Sequence, residues 1–289
     1  MQHLFDQDLI VARRKRALAE AVPGAAFLAE RVAEDLADRL ATVERHFAEA
    51  VALHCFTPHA AQAIAASGKA GRVTRIEADA AFLGGEPGLV APPDRVPLAP
   101  GSADLVVSLL SLHEADDVPG QLVQIRRALR PDGLFLGALA GGGTLAELRD
   151  SLLAAETEVS GGAAPRIMPF ADVREAGALL QRAGFALPVA DVDTITVRYD
   201  SMFGLLRDLR AMGATSALAE RSRRPPRREM FRRAAELYAQ RHSDRDGRVR
   251  ATFSIVWLSG WAPHESQQKP LRPGSATASL KDFLEGGGR

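Results

Sequence analysis

The chain lacks the features that define several large classes of protein. Its 289 residues include one cysteine, Cys55, which excludes a disulfide framework and a cysteine-based zinc site. Basic and acidic residues both number 36, and a chain without excess charge is not typical of a nucleic-acid binder. No stretch reaches the roughly 18 apolar residues of a membrane span, and the N-terminus has no apolar signal core. We therefore expect a cytoplasmic protein that binds no nucleic acid.

The hydrophobic content indicates one folded unit. Hydrophobic residues make up 46% of the chain, which is enough to bury one sizeable core. We expect a single domain over residues 1–265, followed by an irregular tail over 266–289. Helical spacing of apolar residues predicts an N-terminal helical segment over about 5–48 and lid-like helices over about 200–242.

Strand-like runs alternate with helical patterns along the chain. Runs of strand length occupy 50–53, 72–77, 104–110 and 134–139, and residues 58–67 and 118–129 have helical spacing. Parallel strands need such crossovers, so the pattern predicts an α/β fold whose mostly parallel, twisted sheet carries helices on both faces. Residues 84–103 are rich in glycine and proline and are predicted to be mostly loop. Thr144 and Glu147 have the spacing of a capping box, which predicts the start of a further helix.

Candidate binding residues follow the predicted strands, at the carboxyl edge where open α/β sheets bind ligands. The loop after the first strand runs from His54 to Pro58 without a glycine, and its side chains fill space that a nucleotide would need. Glu77 ends the second strand, where a carboxylate could accept hydrogen bonds from a ribose. Ser111, Leu112 and His113 follow the fourth strand. His113 is a candidate acid or base, and the alternative is a structural histidine.

Two further segments have alternative interpretations. Gly141–Gly143 could bring backbone amides to an anion at a helix N-terminus, or could simply form a flexible turn. Arg221–Arg228 contains five arginines around two prolines, which indicates a solvated loop or a contact with an acidic partner or an anionic membrane surface. No catalytic triad, carboxylate pair or metal-ligand spacing stands out in the sequence.

Two motifs make the chain resemble a known family. Asp104–His113 and Leu129–Gly133 are similar to class I S-adenosylmethionine (SAM) methyltransferases of the methyltransferase-11 type. Additional segments resemble one branch of that family, the NADH dehydrogenase (complex I) assembly factors. The segments are Thr144–Arg149, Asp208–Gly213, His264–Gln267 and Gly274–Thr277. The resemblance implies a Rossmann-like methyltransferase fold with an antiparallel last strand. It also implies a complex I subunit or assembly intermediate as partner, since the mitochondrial member hydroxylates an arginine of a peripheral-arm subunit.

The resemblance also assigns the SAM-binding positions. They fall on Leu53, His54, Cys55, Glu77, Asp94, Ser111 and Leu112. The family's first motif, Asp-Leu-Gly-Cys-Gly-x-Gly, is replaced here by Ala52–Pro58, without the acid or any of the three glycines. Pro92 and Pro93 stand where the family has an acidic pair near the adenine. We therefore expect SAM binding to be weak or absent.

Three functions remain open from the sequence. The first is a SAM-dependent methyltransferase, or a SAM-assisted protein-modifying enzyme, linked to complex I assembly, and the retained Glu77 favours it. The second is a non-catalytic assembly or scaffold protein, which the missing glycines favour. The third is a quinone or acyl-carrier methyltransferase, and the segment His264–Gln267 argues against it because it marks the assembly branch.

Overall fold

The computed structural model describes residues 3–162, 164–222 and 225–267. Within these ranges there are eight α-helices: α1 (Gln7–Glu20), α2 (Phe27–Ala41), α3 (His59–Ala66), α4 (Val118–Ala128), α5 (Ala146–Ser160), α6 (Val173–Arg182), α7 (Met202–Ala211) and α8 (Arg228–His242). Two short 3-10 helices, Ala80–Leu83 and Leu112–Glu114, follow β2 and β4.

The same ranges contain seven strands, which form one sheet. They are β1 (Phe47–Leu53), β2 (Ala70–Glu77), β3 (Gly88–Val90), β4 (Ala103–Leu109), β5 (Leu129–Ala140), β6 (Ala186–Tyr199) and β7 (Val249–Trp261). The strand order is β3-β2-β1-β4-β5-β7-β6. The first five strands pair in parallel, and β7 is antiparallel to both β5 and β6. The predicted α/β class, the parallel sheet and the antiparallel last strand are therefore confirmed.

Helices cover both faces of the sheet and bury a core on each side. On one face, apolar residues of α2 and α5 pack against the sheet, because Val32, Leu36 and Leu40 recur at one-turn intervals. On the other face, Leu122 and Ile125 of α4 pack beside residues of α6. The result is three layers, helix–sheet–helix, as expected for an α/β domain.

One predicted segment differs from the structure. The N-terminal segment 5–48 is not helical throughout: it forms α1 and α2, and Phe47 already begins β1. Its end is extended because Phe47 pairs with Ala70 in the sheet, and this pairing overrides the helical spacing. Residues 84–103, predicted to be mostly loop, include the three-residue edge strand β3, which pairs with the end of β2. The irregular tail predicted after residue 265 lies mostly outside the described residues, since 268–289 are not described.

The predicted capping box at Thr144 is wrong. The N-cap position of α5 is Leu145, which has φ 54° and makes no side-chain cap. Thr144 Oγ1 instead donates to the Ser254 carbonyl at 2.9 Å and accepts from the Ser254 amide at 3.0 Å, and Glu147 binds Thr252. Strand β7 thus competes successfully for the polar groups that would have capped the helix.

No helix among the described residues has the length and apolarity needed to cross a membrane.

Candidate functional site

A cavity of about 610 Å³ lies over the carboxyl ends of the central strands. Its floor includes Cys55 after β1, Leu109 at the end of β4 and Ala140 at the end of β5. Residues of α1, α5 and α7, the start of α2 and the segment 166–170 form its walls and roof. The lining is mainly apolar, with a few charged groups. This is the sheet edge at which open α/β folds bind their ligands.

The loop after β1 keeps a backbone shape that glycine adopts easily. His54 has φ 49° and Phe56 has φ 59°, both in the left-handed region that side chains with a Cβ rarely occupy. These are two of the positions where the methyltransferase motif has glycine. The backbone path has therefore been kept while side chains fill the space beside it.

Each of these side chains is buried and held. His54 Nε2 lies 3.1 Å from the Arg95 carbonyl, and burial lowers the pKa of this imidazole. The Phe56 ring lies edge-on against Phe82, with ring centroids 5.2 Å apart. Phe56 and Phe82 both line the cavity. The glycine replacements are therefore built into the packing rather than left in solvent.

Glu77 is bound within the protein, although it stands at the position of the ribose acid. Its side chain is 0% exposed. Oε2 accepts from the Phe56 amide at 3.0 Å, and Oε1 accepts from Arg75 Nη2 at 3.2 Å. Burial raises the pKa of this carboxyl to about 7, against the opposing effect of those two donors. Both carboxylate oxygens therefore already have donors within the protein.

Two other proposed cofactor residues are part of the core. Leu53 is 1% exposed at the end of β1. Cys55 Sγ contacts the carbonyls of Leu53 and Val107, and burial raises the pKa of this thiol to about 12. The thiol is therefore un-ionised and not nucleophilic at neutral pH.

The remaining proposed cofactor residues do not converge on the cavity. Asp94 is exposed, and its carbonyl accepts from Gln124. Ser111 Oγ lies 3.0 Å from Ser108 Oγ, and Leu112 is buried in the core on the α4 side of the sheet. None of these three side chains lines the cavity.

His113 does line the cavity. Its Nδ1 accepts from the Ala140 amide at 3.3 Å, and its ring lies 5.9 Å from the Phe170 ring. Desolvation lowers the pKa of this imidazole to about 4. The ring is therefore neutral at physiological pH, with its proton on Nε2.

Sequence reasoning missed a charged cluster in the cavity wall. Arg14 of α1 places its guanidinium carbon 4.1 Å from the centre of the Phe56 ring. Arg14 Nη2 also donates to Glu114 Oε2 at 2.6 Å and contacts the Leu110 carbonyl at 3.4 Å. The side chains of Arg14 and Glu114 are 13% and 5% exposed. The sequence gives no local signal for this cluster, because Arg14 and Glu114 are 100 residues apart.

Gly141–Gly143 and the arginine-rich segment make internal contacts. The Gly141 amide donates to the Ser254 carbonyl and the Gly142 amide to the Ala171 carbonyl, so neither amide is available to an anion. Arg221 pairs with Asp6 at 3.0 Å. Two of the five arginines, at 223 and 224, lie outside the described residues. Within those residues there is no group of three or more His, Cys, Asp or Glu side chains that could hold a metal ion.

Comparison with known proteins supports a specific relationship. A family model described as a methyltransferase domain matches residues 40–137. The human protein named "Arginine-hydroxylase NDUFAF5, mitochondrial" is 39% identical over 289 residues, covering 97% of this chain and 83% of that protein. The chain belongs to this arginine-hydroxylase family. The resemblance inferred from the sequence motifs is thereby confirmed.

Two other similarities are more limited. The malonyl-[acyl-carrier protein] O-methyltransferase of Laribacter hongkongensis is 35% identical, but the match covers 71% of this chain and 64% of that protein. The YcgJ protein of Bacillus subtilis has a TM-score of 0.53 at 13% identity, covering 80% of this chain and 99% of that chain. The structural similarity shows a shared fold only. The assembly-factor relationship therefore holds over the acyl-carrier alternative.

The expected cytoplasmic location is contradicted by these relatives. The human relative is named as a mitochondrial protein. The expectation rested on composition and on the lack of a long apolar run, and both reflect what a folded domain requires. Neither property identifies the compartment in which the domain works.

Proposed function

We propose that the chain is a protein-modifying enzyme that acts on an arginine of a respiratory complex I subunit during assembly, with the cavity as its substrate site. The proposal includes the mitochondrial setting that the relatives' name states. The observation that carries it is the extent of the similarity. The general methyltransferase match ends at residue 137, whereas the arginine-hydroxylase match covers 97% of the chain. The shared part therefore includes α5 and α7, which enclose the cavity.

The chain does not hold SAM in the usual methyltransferase mode. The support is geometric: Glu77 is fully buried with both oxygens engaged, and the neighbouring Phe56 side chain is buried where the motif has glycine. A ribose hydroxyl at Glu77 would have to displace the Phe56 backbone amide or the Arg75 guanidinium, and the loss of one such hydrogen bond to a carboxylate costs about 1.5–3 kcal/mol. A loss of this size lowers affinity about tenfold to a hundredfold.

Calorimetry with SAM on the purified wild-type protein tests the cofactor proposal. We expect no saturable heat at micromolar SAM, and the Phe56→Gly variant should bind better because it opens the path to Glu77. The Phe82→Leu variant is a matched control, since it removes a neighbouring ring but leaves Phe56 in place. Micromolar binding by the wild type would overturn the proposal.

His113 has a structural and hydrogen-bonding role in the cavity wall and is not a general base. Its Nδ1 is already an acceptor for the Ala140 amide, and its Nε2 carries the proton. A base needs a free lone pair directed at the substrate. His113 can therefore donate a hydrogen bond to a bound group.

The enzymatic role is tested in the native host. Deletion of the gene should lower NADH dehydrogenase activity, and a peripheral-arm subunit purified from the wild type should carry an arginine heavier by one oxygen atom. The deletion strain should lack this modification, and the wild-type gene should restore it. Lost assembly with an unmodified subunit in the wild type would contradict the enzymatic part and favour a scaffold. Normal activity in the deletion strain would contradict both.

A further inference from the structure

The guanidinium of Arg14 lies inside the proposed substrate site of the free protein. It stacks on Phe56 at 4.1 Å and pairs with Glu114 at 2.6 Å. Arg14, Phe56 and Glu114 all line the same cavity. An aromatic face, a carboxylate and a carbonyl oxygen are the groups that proteins use to recognise an arginine side chain.

The two sides of this contact come from different parts of the fold. Phe56 follows β1, and Leu110 and Glu114 follow β4, so these three groups are fixed at the carboxyl edge of the sheet. Arg14 comes from α1, which lies over the cavity and is not part of the sheet layers. We call the Phe56 ring, the Glu114 carboxylate and the Leu110 carbonyl the guanidinium clamp. The clamp residues therefore belong to the sheet edge that forms the site, whereas Arg14 belongs to the helix that covers the cavity.

Arg14 uses only part of what the clamp offers. Both of its hydrogen bonds come from Nη2, and its Nε is buried without a partner among the described residues. Within the same residues, Oε1 of Glu114 makes no hydrogen bond. A guanidinium entering with a better orientation could bind both carboxylate oxygens in a fork, which is the stronger geometry. The clamp therefore has hydrogen-bonding capacity that Arg14 does not use.

Helix α1 is attached through one small apolar cluster, in which Ile10 packs with Met168 and Leu218, and through several polar contacts. Ile10 is its only buried residue. Gln7 donates to the Glu114 carbonyl, Arg13 to the carbonyls of Thr215 and Ser216, and Lys15 pairs with Asp79. Exposed or half-buried contacts of this kind contribute little each, about 1 kcal/mol or less for an exposed pair. The α1 anchor is separate from the two cores that cover the sheet, so displacement of α1 does not require those cores to unfold.

We propose that the guanidinium clamp of Phe56, Glu114 and Leu110 binds the substrate arginine, and that Arg14 occupies the clamp until that arginine displaces it. The inference rests on the proposed function for the identity of the substrate. The planar guanidinium fits the space between the ring and the carboxylate, and a lysine ammonium does not form the same fork. The clamp should therefore prefer arginine over lysine.

Binding of small guanidinium probes to variants tests this. The Arg14→Met variant keeps an unbranched stem over Phe56 but vacates the clamp. We expect it to bind N-acetyl-arginine amide and methylguanidinium at least tenfold more tightly than the wild type in calorimetry, with N-acetyl-lysine amide bound more weakly. The same probes should raise its melting temperature, so that bound guanidinium replaces the lost side chain.

Three variants serve as controls. Arg13→Met changes the adjacent residue of α1 and loosens the helix, but leaves Arg14 in the clamp, so it should bind the probes no better than the wild type. Adding Glu114→Gln to Arg14→Met should abolish the gain, and adding Phe56→Leu should reduce it. If Arg14→Met proves unstable, Arg14→Gln provides the same test with a polar side chain.

The outcomes separate this inference from the proposed function. Equal binding by Arg14→Met and the wild type, or a gain that survives Glu114→Gln, would overturn the clamp. These measurements need no oxidation and no partner subunit. Guanidinium binding together with normal complex I in the deletion strain would leave the clamp standing and contradict the proposed function, and the reverse pattern would contradict the clamp alone.

Discussion

Replacing Arg75 with methionine should destabilise the protein strongly at neutral to alkaline pH. Arg75 is 5% exposed and binds Glu77, the Phe82 carbonyl at 2.6 Å and the Leu83 carbonyl at 3.3 Å. Its removal leaves the Glu77 carboxylate buried with the Phe56 amide as its remaining donor. Breaking a buried ion pair from one side costs about 3–5 kcal/mol. That is a large part of the roughly 5–15 kcal/mol that stabilises a typical domain.

The cost should depend on pH in a defined direction. The pKa of Glu77 is raised from 4.5 to about 7 in the folded state, so the folded protein binds this proton more tightly than the unfolded chain. Stability from this group is therefore present at low pH and is lost as the pH rises through about 7. Near pH 5, Glu77 is already neutral, and Arg75→Met should cost only its hydrogen bonds, about 1–3 kcal/mol.

Urea unfolding at about pH 5 and about pH 8 measures both effects. Arg72→Met is the matched control, because Arg72 lies on the same strand and pairs with Glu49, but its side chain is 72% exposed. That variant should lose at most about 1 kcal/mol at either pH. A cost for Arg75→Met that is equal at both pH values, or no larger than that of Arg72→Met, would refute the assignment of a buried ionised pair.

Other outcomes follow from individual contacts. The His113 ring of the folded protein should show no titration by NMR above about pH 5, because burial lowers its pKa to about 4. As the pH falls from 6.5 towards that value, the unfolded chain takes up this proton more readily than the folded protein, so the free energy of unfolding should decrease. Cys55 should resist alkylation in the native protein and react readily in urea, since burial raises the thiol pKa to about 12; fast native labelling would contradict this. Gly213→Ala should destabilise more than Gly247→Ala. Both glycines have positive φ, which costs about 1–2 kcal/mol for alanine, but an added Cβ at Gly213 would also lie 2.8 Å from the Arg14 Cα, whereas Gly247 has open space.

The fold could be predicted from the sequence because its main signals are local. The sequence predicts a strand at the β4 run, Ala103 to Leu109, then a crossover helix, and a second strand after the turn that precedes Leu134. In the structure the two strands, β4 and β5, pair in parallel as expected. The prediction failed where distant pairing decides the outcome. Phe47 is extended because Lys69 and Ala70 lie beside it, and Thr144 turns to Ser254 rather than to its own helix. Neither partner is close in sequence.

The site was predicted only in part for the same reason. The missing glycines at His54 and Phe56 were visible in the sequence, but the positive φ values that preserve the loop shape were not. Glu77 was assigned to a ribose because its strand and position fit, whereas its actual partners, Arg75 and the Phe56 amide, depend on how the loop folds back. Arg14 was missed entirely, because its contact with Glu114 joins residues 100 apart.

Phe56 takes part in both proposals, the weak SAM binding and the guanidinium clamp. Its backbone amide donates to Glu77, and its ring lies against Phe82. The same ring also presents an aromatic face inside the cavity, and the Arg14 guanidinium stacks on this face. A glycine at this position would open the approach to Glu77 and remove the stacking surface at once. Weakened SAM binding and guanidinium recognition are therefore two expected effects of one substitution, and they should be gained or lost together.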